Sequence, residues 1–134
     1  MGIRKHLTTA LATAAVCGAA LTASAGTADA ATGASYITQG QVGFQVYCVQ
    51  VGINWATWSN AYVSTVDGDF GPDTLKQVKQ LQADSGLSAD GVVGPDTGDR
   101  LWSALQYAIS RNGNITTKYG VPLGNCYNVL PTHG

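Results

Sequence analysis

Residues 66–105 read VDGDFGPDTLKQVKQLQADSGLSADGVVGPDTGDRLWSAL, which is one short unit written twice. Asp67-Gly68-Asp69-Phe70-Gly71-Pro72-Asp73-Thr74 returns as Asp90-Gly91-Val92-Val93-Gly94-Pro95-Asp96-Thr97, and a helical pattern follows each copy. A repeated turn-plus-helix predicts a pseudo-symmetric helical fold. Asp-Gly favours a tight turn, because glycine adopts backbone angles that other residues resist. The later Gly-Pro is a helix start. Gly71 and Gly94 fall at the N-cap, and Pro72 and Pro95 at the first helical position, where proline's missing N–H costs nothing. Asp73 and Asp96 then put negative charge beside the exposed N–H groups of the first turn, where the helix dipole favours it.

Outward from this repeat, the pattern predicts helices over 72–84 and 95–107, the second able to run on to Arg111 before the Asn112-Gly113 stop. Leu75, Val78 and Leu81 mark the inward face of the first, and Gly86 ends it as a C′ residue. Leu101, Leu105 and Trp102 are expected to be buried by the second, with Leu87, Val92 or Val93 plugging the core at the turn between them. An earlier helix is predicted over 41–53. Val42, Val46, Val49 and Ile53 lie at i, i+4, i+7 and i+11 on one face, with Cys48 off that stripe. Glycines and β-branched residues weaken its propensity, so packing must stabilise it. Gln50 and Gln82 each follow a core residue. Satisfying the backbone of a turn is the commoner role for such a glutamine, and a ligand role is the other.

Residues 1–30 have the form of a secretory signal: Arg4, Lys5 and His6, an apolar stretch from Leu7 to Leu21, and the Ala28-Asp29-Ala30 cleavage pattern. The stretch is short and poor in bulky residues for a membrane span. Val16 before Cys17 disfavours lipoprotein processing. Removal of this segment leaves Cys48 and Cys126, which in an oxidising compartment make one disulfide; two free buried thiols are the alternative. Residues 31–40 are expected to form a loose lead-in. Residues 108–134, rich in Thr, Tyr, Val, Gly, Pro and Asn, are expected to form short extended pieces around Cys126 as a tethered extension.

The run DGDFGPDT, the Val78-x-x-Leu81-Gln82 pattern, GLSADGVVGPDTGDRL and Val46-x-x-Val49-Gln50-x-x-Ile53 together closely resemble the peptidoglycan-binding module attached to many bacterial cell-wall hydrolases. That family is marked by two DGxxGxxT turns, each opening a helix. The resemblance covers residues 41–107, about two-thirds of the chain after the signal. It implies an all-α, small three-helix bundle with peptidoglycan held in a shallow groove between helices and turns. The segment 54–65 departs from the family's short polar connection by carrying Trp55, Trp58 and Tyr62. Flat rings stack on the apolar faces of sugars, although they also cover small cores. The candidate ligand residues are therefore Trp55, Trp58, Tyr62, Asp67, Asp69 and Gln50.

Catalysis is disfavoured. Beyond the signal there is one histidine, His133, near the end of the sequence, and the chain has no glutamate. A nucleophile–histidine arrangement, a zinc site and a carboxylate pair all lack parts. Asp67-Gly68-Asp69 begins like a calcium loop, but Gly71-Pro72 follows and no glutamate closes it, so neither metal nor cofactor is expected. Five cations face seven aspartates beyond residue 30, with no basic cluster, which argues against nucleic acid and anionic membranes. The expected function is a secreted, non-catalytic peptidoglycan-binding protein, extracellular or associated with the cell wall. The alternative is a secreted interaction or inhibitor-like protein using the same fold, since similar three-helix modules serve as propeptides of secreted metalloproteases. A wall hydrolase is the least favoured reading.

Overall fold

A computed structural model describes residues 34–56 and 65–134. Residues 1–30, expected to form a signal, and Trp58 and Tyr62 lie outside them. Three α-helices, α1 (Phe44–Ala56), α2 (Pro72–Asp84) and α3 (Pro95–Asn112), are followed by a 3-10 helix at Leu123–Asn128. The fold is helical. The described residues hold isolated β-bridges but no strand.

α2 and α3 begin where the Gly-Pro signals place them. Gly71 and Gly94 are extended N-caps with proline in the first turn of each helix. The Ser85 and Gly86 amides bond the last carbonyls of α2, and Gly86 turns the chain with a φ of 72°. α3 runs through to Asn112, and Gly113 at φ 77° stops it.

α1 starts three residues later than its apolar spacing suggests. Gly40 and Gly43 have φ values of 92° and 124°, and between them the backbone lies against the first turn rather than coiling. Phe70 N–H donates to the Gln41 carbonyl (2.9 Å) and Gly40 N–H to the Phe70 carbonyl (3.0 Å). Val42 is accordingly not on the buried stripe but 65% exposed. The lead-in is not loose over its described part. Ile37 is 1% exposed and exchanges two backbone hydrogen bonds with Val93, at 3.1 and 2.9 Å. One short N-terminal segment thus ties down both repeats, at Phe70 and at Val93, and each of those side chains is fully buried.

α1 packs most extensively on α3. Gly52 makes this approach close, since a Cβ there would lie 3.0 Å from Leu101 Cδ2 and 3.1 Å from its Cβ. Val46, Val49 and Ile53 fill the centre of the core with Leu101 and Leu105. Cys48 is also fully buried, and its disulfide to Cys126 runs through the core rather than outward from it. The segment around Cys126 is a 3-10 helix, not extended chain, because Leu123, Cys126 and Leu130 must all turn inward onto the same core. Trp102 is only half-buried.

The tail meets α3 at Gly98, the counterpart in the second repeat of Leu75 in the first. A Cβ on Gly98 would sit on the Pro131 carbonyl oxygen. Alanine normally favours a helix interior by up to ~1 kcal/mol over glycine. Gly98→Ala is nonetheless expected to destabilise by about 2–3 kcal/mol through overpacking against backbone, read by chemical denaturation. Unchanged or raised stability would contradict this packing.

Candidate functional site

Each aspartate–glycine turn is held by a buried glutamine from the preceding helix. Gln50 Nε2 donates to Asp67 Oδ1 (2.8 Å), the Asp69 carbonyl (3.0 Å) and Thr74 Oγ1 (3.1 Å). Its Oε1 accepts from Gly68 N–H (2.8 Å). In the second unit, Gln82 Nε2 donates to Asp90 Oδ1 (3.0 Å), the Val92 carbonyl (2.9 Å) and Thr97 Oγ1 (3.0 Å), while Gly91 N–H donates to its Oε1 (2.8 Å). The aspartates close each turn from the other side. Asp67 Oδ1 accepts from Asp69 N–H (2.9 Å), and Asp90 Oδ1 from Val92 N–H (2.8 Å). The two locks are the same object built twice.

This geometry explains the residue types. An amide alone offers both a donor pair and an acceptor on one short planar group, so it bonds a backbone N–H and a carbonyl of the same turn. The positive φ of Gly68 and Gly91 (84° and 80°) aims each glycine N–H at the glutamine oxygen. Threonine in the first helical turn gives the amide a further acceptor. Both glutamines are 1% exposed, so Gln50 is a turn-holding residue and its amide is committed internally rather than presented to a ligand.

Asp67 and Asp69 are brought together at the surface beside Gln50, and both are exposed. Asp69 contributes its backbone to the lock. Together with Thr65, Gly71, Pro72, Asp73 and Thr74 they line a depression of 120 Å³, below the ~300 Å³ of an ordinary small-molecule pocket. The N–H of Asp69, and next the Gln50 amide, hold the Asp67 carboxyl below the usual carboxylate range. A depressed folded pKa stabilises the fold above the ordinary value of 3.8, and that stabilisation is lost as pH falls through the folded value. Asp67→Asn is therefore expected to flatten the loss of stability below about pH 4, measured as denaturation midpoint against pH. An unchanged acid limb would contradict the lock at this carboxylate.

Trp55 lies half-buried in the last turn of α1, with its ring edge-on to Tyr107 of α3 at 6.2 Å, and Arg111 sits over Tyr107. A second aromatic group, invisible to sequence reasoning, flanks the first turn. Phe44 and Tyr47 of α1 meet Tyr119, and Lys118 Nζ lies over Tyr47 and Tyr119 at 5.5 and 5.3 Å. Lys118 also donates to the carbonyls of Val66 (3.2 Å) and Asp67 (2.6 Å), which pins the tail to the turn. Burial, and then proximity to Tyr119, raise the Tyr47 hydroxyl above its ordinary pKa. The spacing of Phe44 and Tyr47 at i and i+3 hints at a shared face, but nothing local pairs them with Tyr119.

No group of three or more His, Cys, Asp or Glu residues able to hold a metal ion occurs among the described residues. None of their helices is long and apolar enough to cross a membrane.

These features define a small helical module built on two equivalent turn–helix units. A family model described as putative peptidoglycan binding domain matches residues 54–101, a span containing both turns, α2 and the start of α3. An uncharacterized protein in the bpoA1 3′ region of Kitasatospora aureofaciens is 48% identical over 46 residues, covering 34% of this chain and 36% of that protein. The chain thus matches about a third of that relative's length. No solved structure matches.

Proposed function

We propose that the protein is an exported, non-catalytic peptidoglycan-binding protein acting outside the cell or on its wall. The observation that carries this reading is the coincidence of the family match at 54–101 with the two identical turn locks between Asp67 and Thr97. The matched span thus contains both turn locks. Export is supported by the form of residues 1–30 and by the disulfide, which suits an oxidising compartment. A binding role rather than catalysis is supported by the work the ionisable groups do. Asp67 and Asp90 brace turns, and His133 is joined to Asp99 at 2.7 Å.

The proposed ligand residues are Trp55 at the end of α1, the rings of the segment after it, which lie outside the described residues, and the exposed rim of the first turn. They comprise Trp55, Trp58 and Tyr62 with Asp67 and Asp69. A flat polymer suits the shallow depression at the first turn better than it would an enclosed pocket, and rings stack on the apolar faces of sugars. The mapping test compares retention on purified sacculi of the protein and its Trp55→Ala/Trp58→Ala variant. Retention is expected to fall about tenfold, the equivalent of one or two lost stacking contacts. Equal retention by a folded variant would move the site away from the rings. Clearing of a sacculus suspension by the protein alone would overturn the non-catalytic reading.

A further inference from the structure

α3 and the tail border a separate, open cleft of about 540 Å³, lined by Asp99, Trp102, Ser103, Gln106, Tyr127, Thr132 and Gly134. It lies on the side of α3 met by the tail, and the turn locks contribute nothing to its lining. Residues 99, 102, 103 and 106 recur at helical spacing, so one face of α3 forms its floor. The tail forms the wall and is firmly seated. Pro131 lies against Gly98, where no side chain could fit, His133 N–H donates to Asp99 Oδ1 (3.0 Å), and the His133 ring bonds Asp99 Oδ2 (2.7 Å).

The chemistry of this cleft is selective. Trp102 and Tyr127 have ring centroids 5.2 Å apart and planes tilted by 50°, so they form a wedge of two aromatic faces. From exposed positions of α3, Gln106 supplies an amide and Ser103 a hydroxyl oxygen able to accept, its proton being donated to the Asp99 carbonyl (2.8 Å). Thr132 is 1% exposed, yet its hydroxyl has no hydrogen-bond partner among the described residues. That hydroxyl is closed off from solvent, so Thr132 belongs to the buried wall of the cleft rather than offering a bond to a ligand. No lysine or arginine lines the cleft, and the Asp99 carboxylate is already engaged by His133. An anion is therefore poorly served. A neutral ring with one apolar face and a rim of hydroxyls matches the aromatic wedge and the exposed Ser103 and Gln106 side chains beside it. The volume lies within the ~300–1,000 Å³ of small-molecule sites.

We propose that this cleft is a carbohydrate site that takes a neutral pyranose of the N-acetylhexosamine class, separate from the surface at the turns. The choice of N-acetylhexosamine among pyranoses rests on the wall-binding reading, whereas the cleft's suitability for a sugar ring rests on its own residues. With both surfaces occupied, one molecule would hold a glycan strand at two points.

The test is a titration of the oxidised protein with chitotriose, followed by two-dimensional NMR at the Trp102 indole N–H, the Gln106 side-chain amide and the Thr132 backbone amide. Saturable shifts at these three positions are expected. Gln106→Ala and Ser103→Arg change exposed positions, so the fold is retained. Gln106→Ala should weaken binding about tenfold, and Ser103→Arg should abolish it by filling the cleft. Absent shifts, shifts that map instead to residues 67–74 or 90–97, or binding that survives Ser103→Arg would each overturn the proposal. Sacculus retention measured in parallel separates the two claims. Retention without cleft shifts sinks the cleft alone, and cleft shifts without retention sink wall binding and leave the sugar site standing.

Discussion

Gln82→Leu is expected to destabilise the protein by about 3 kcal/mol, the cost of leaving roughly two buried polar groups without partners. Leucine keeps the apolar volume but removes both ends of the amide. The buried Gly91 N–H loses its acceptor, and Asp90, the Val92 carbonyl and Thr97 lose their donor. For a domain of this size the melting temperature should fall by roughly 15 °C. Gln50→Leu removes the matching set of bonds from the first turn and should cost about the same, to within ~1 kcal/mol. Thermal melts followed by circular dichroism check both. A loss below about 1 kcal/mol in either variant would mean that the glutamines do not hold the turns.

Removing the disulfide is expected to have an effect at least as large. Cys48 and Cys126 are 78 residues apart, and chain-entropy arguments value closing a loop of that length at about 4 kcal/mol. Both residues are fully buried in the core, so Cys48→Ala/Cys126→Ala also forfeits packing where Leu123 and Leu130 turn inward. The double variant should melt roughly 20 °C below the oxidised protein. Because the sulfurs are buried, reductant should act on the native protein only as fast as it opens. A double variant with unchanged melting, or instant reduction under native conditions, would contradict a core-embedded bridge.

The parts of this fold that were legible in the sequence are those coded within a few residues. Pro72–Asp84 is the helix its N-cap, proline and Gly86 announce, and α3 begins at its proline and ends at Asn112-Gly113 for the same reason. Local reasoning failed where distant backbone set the conformation. The start of α1 yields to pairing with Phe70, Ile37 is recruited by Val93, and residues 123–128 coil because three side chains around Cys126 share one core. The turn locks were only partly visible. Gln50 lies 17 residues before Asp67, and Gln82 lies 8 before Asp90, so no fixed local spacing joins each glutamine to its turn. A comparison of the two units, each with a glutamine, an Asp-Gly and a threonine, carries that signal. Nothing comparable announces Asp99 with His133, 34 residues on, or Lys118 against Asp67.

The candidate site divides in the same way. The repeat singles out Asp67 and Asp69, Gln50 joins them as a polar position near the turn, and the structure separates their roles. Gln50 is an internal brace, Asp67 is half brace and half surface, and Asp69 lends its backbone to the lock. For Trp55 the sequence offers only its ring, and the structure shows it half-buried with that ring edge-on to Tyr107. Aromatic residues at one-off positions carry no periodic signature, so nothing in the sequence signals the ring contacts of Tyr119 and Tyr127.

The central claim is tested most directly by co-sedimentation of the oxidised protein with purified peptidoglycan sacculi over a range of concentrations. Wall binding predicts a saturable isotherm with the protein recovered in the pellet. Protein remaining in the supernatant at every concentration would contradict it.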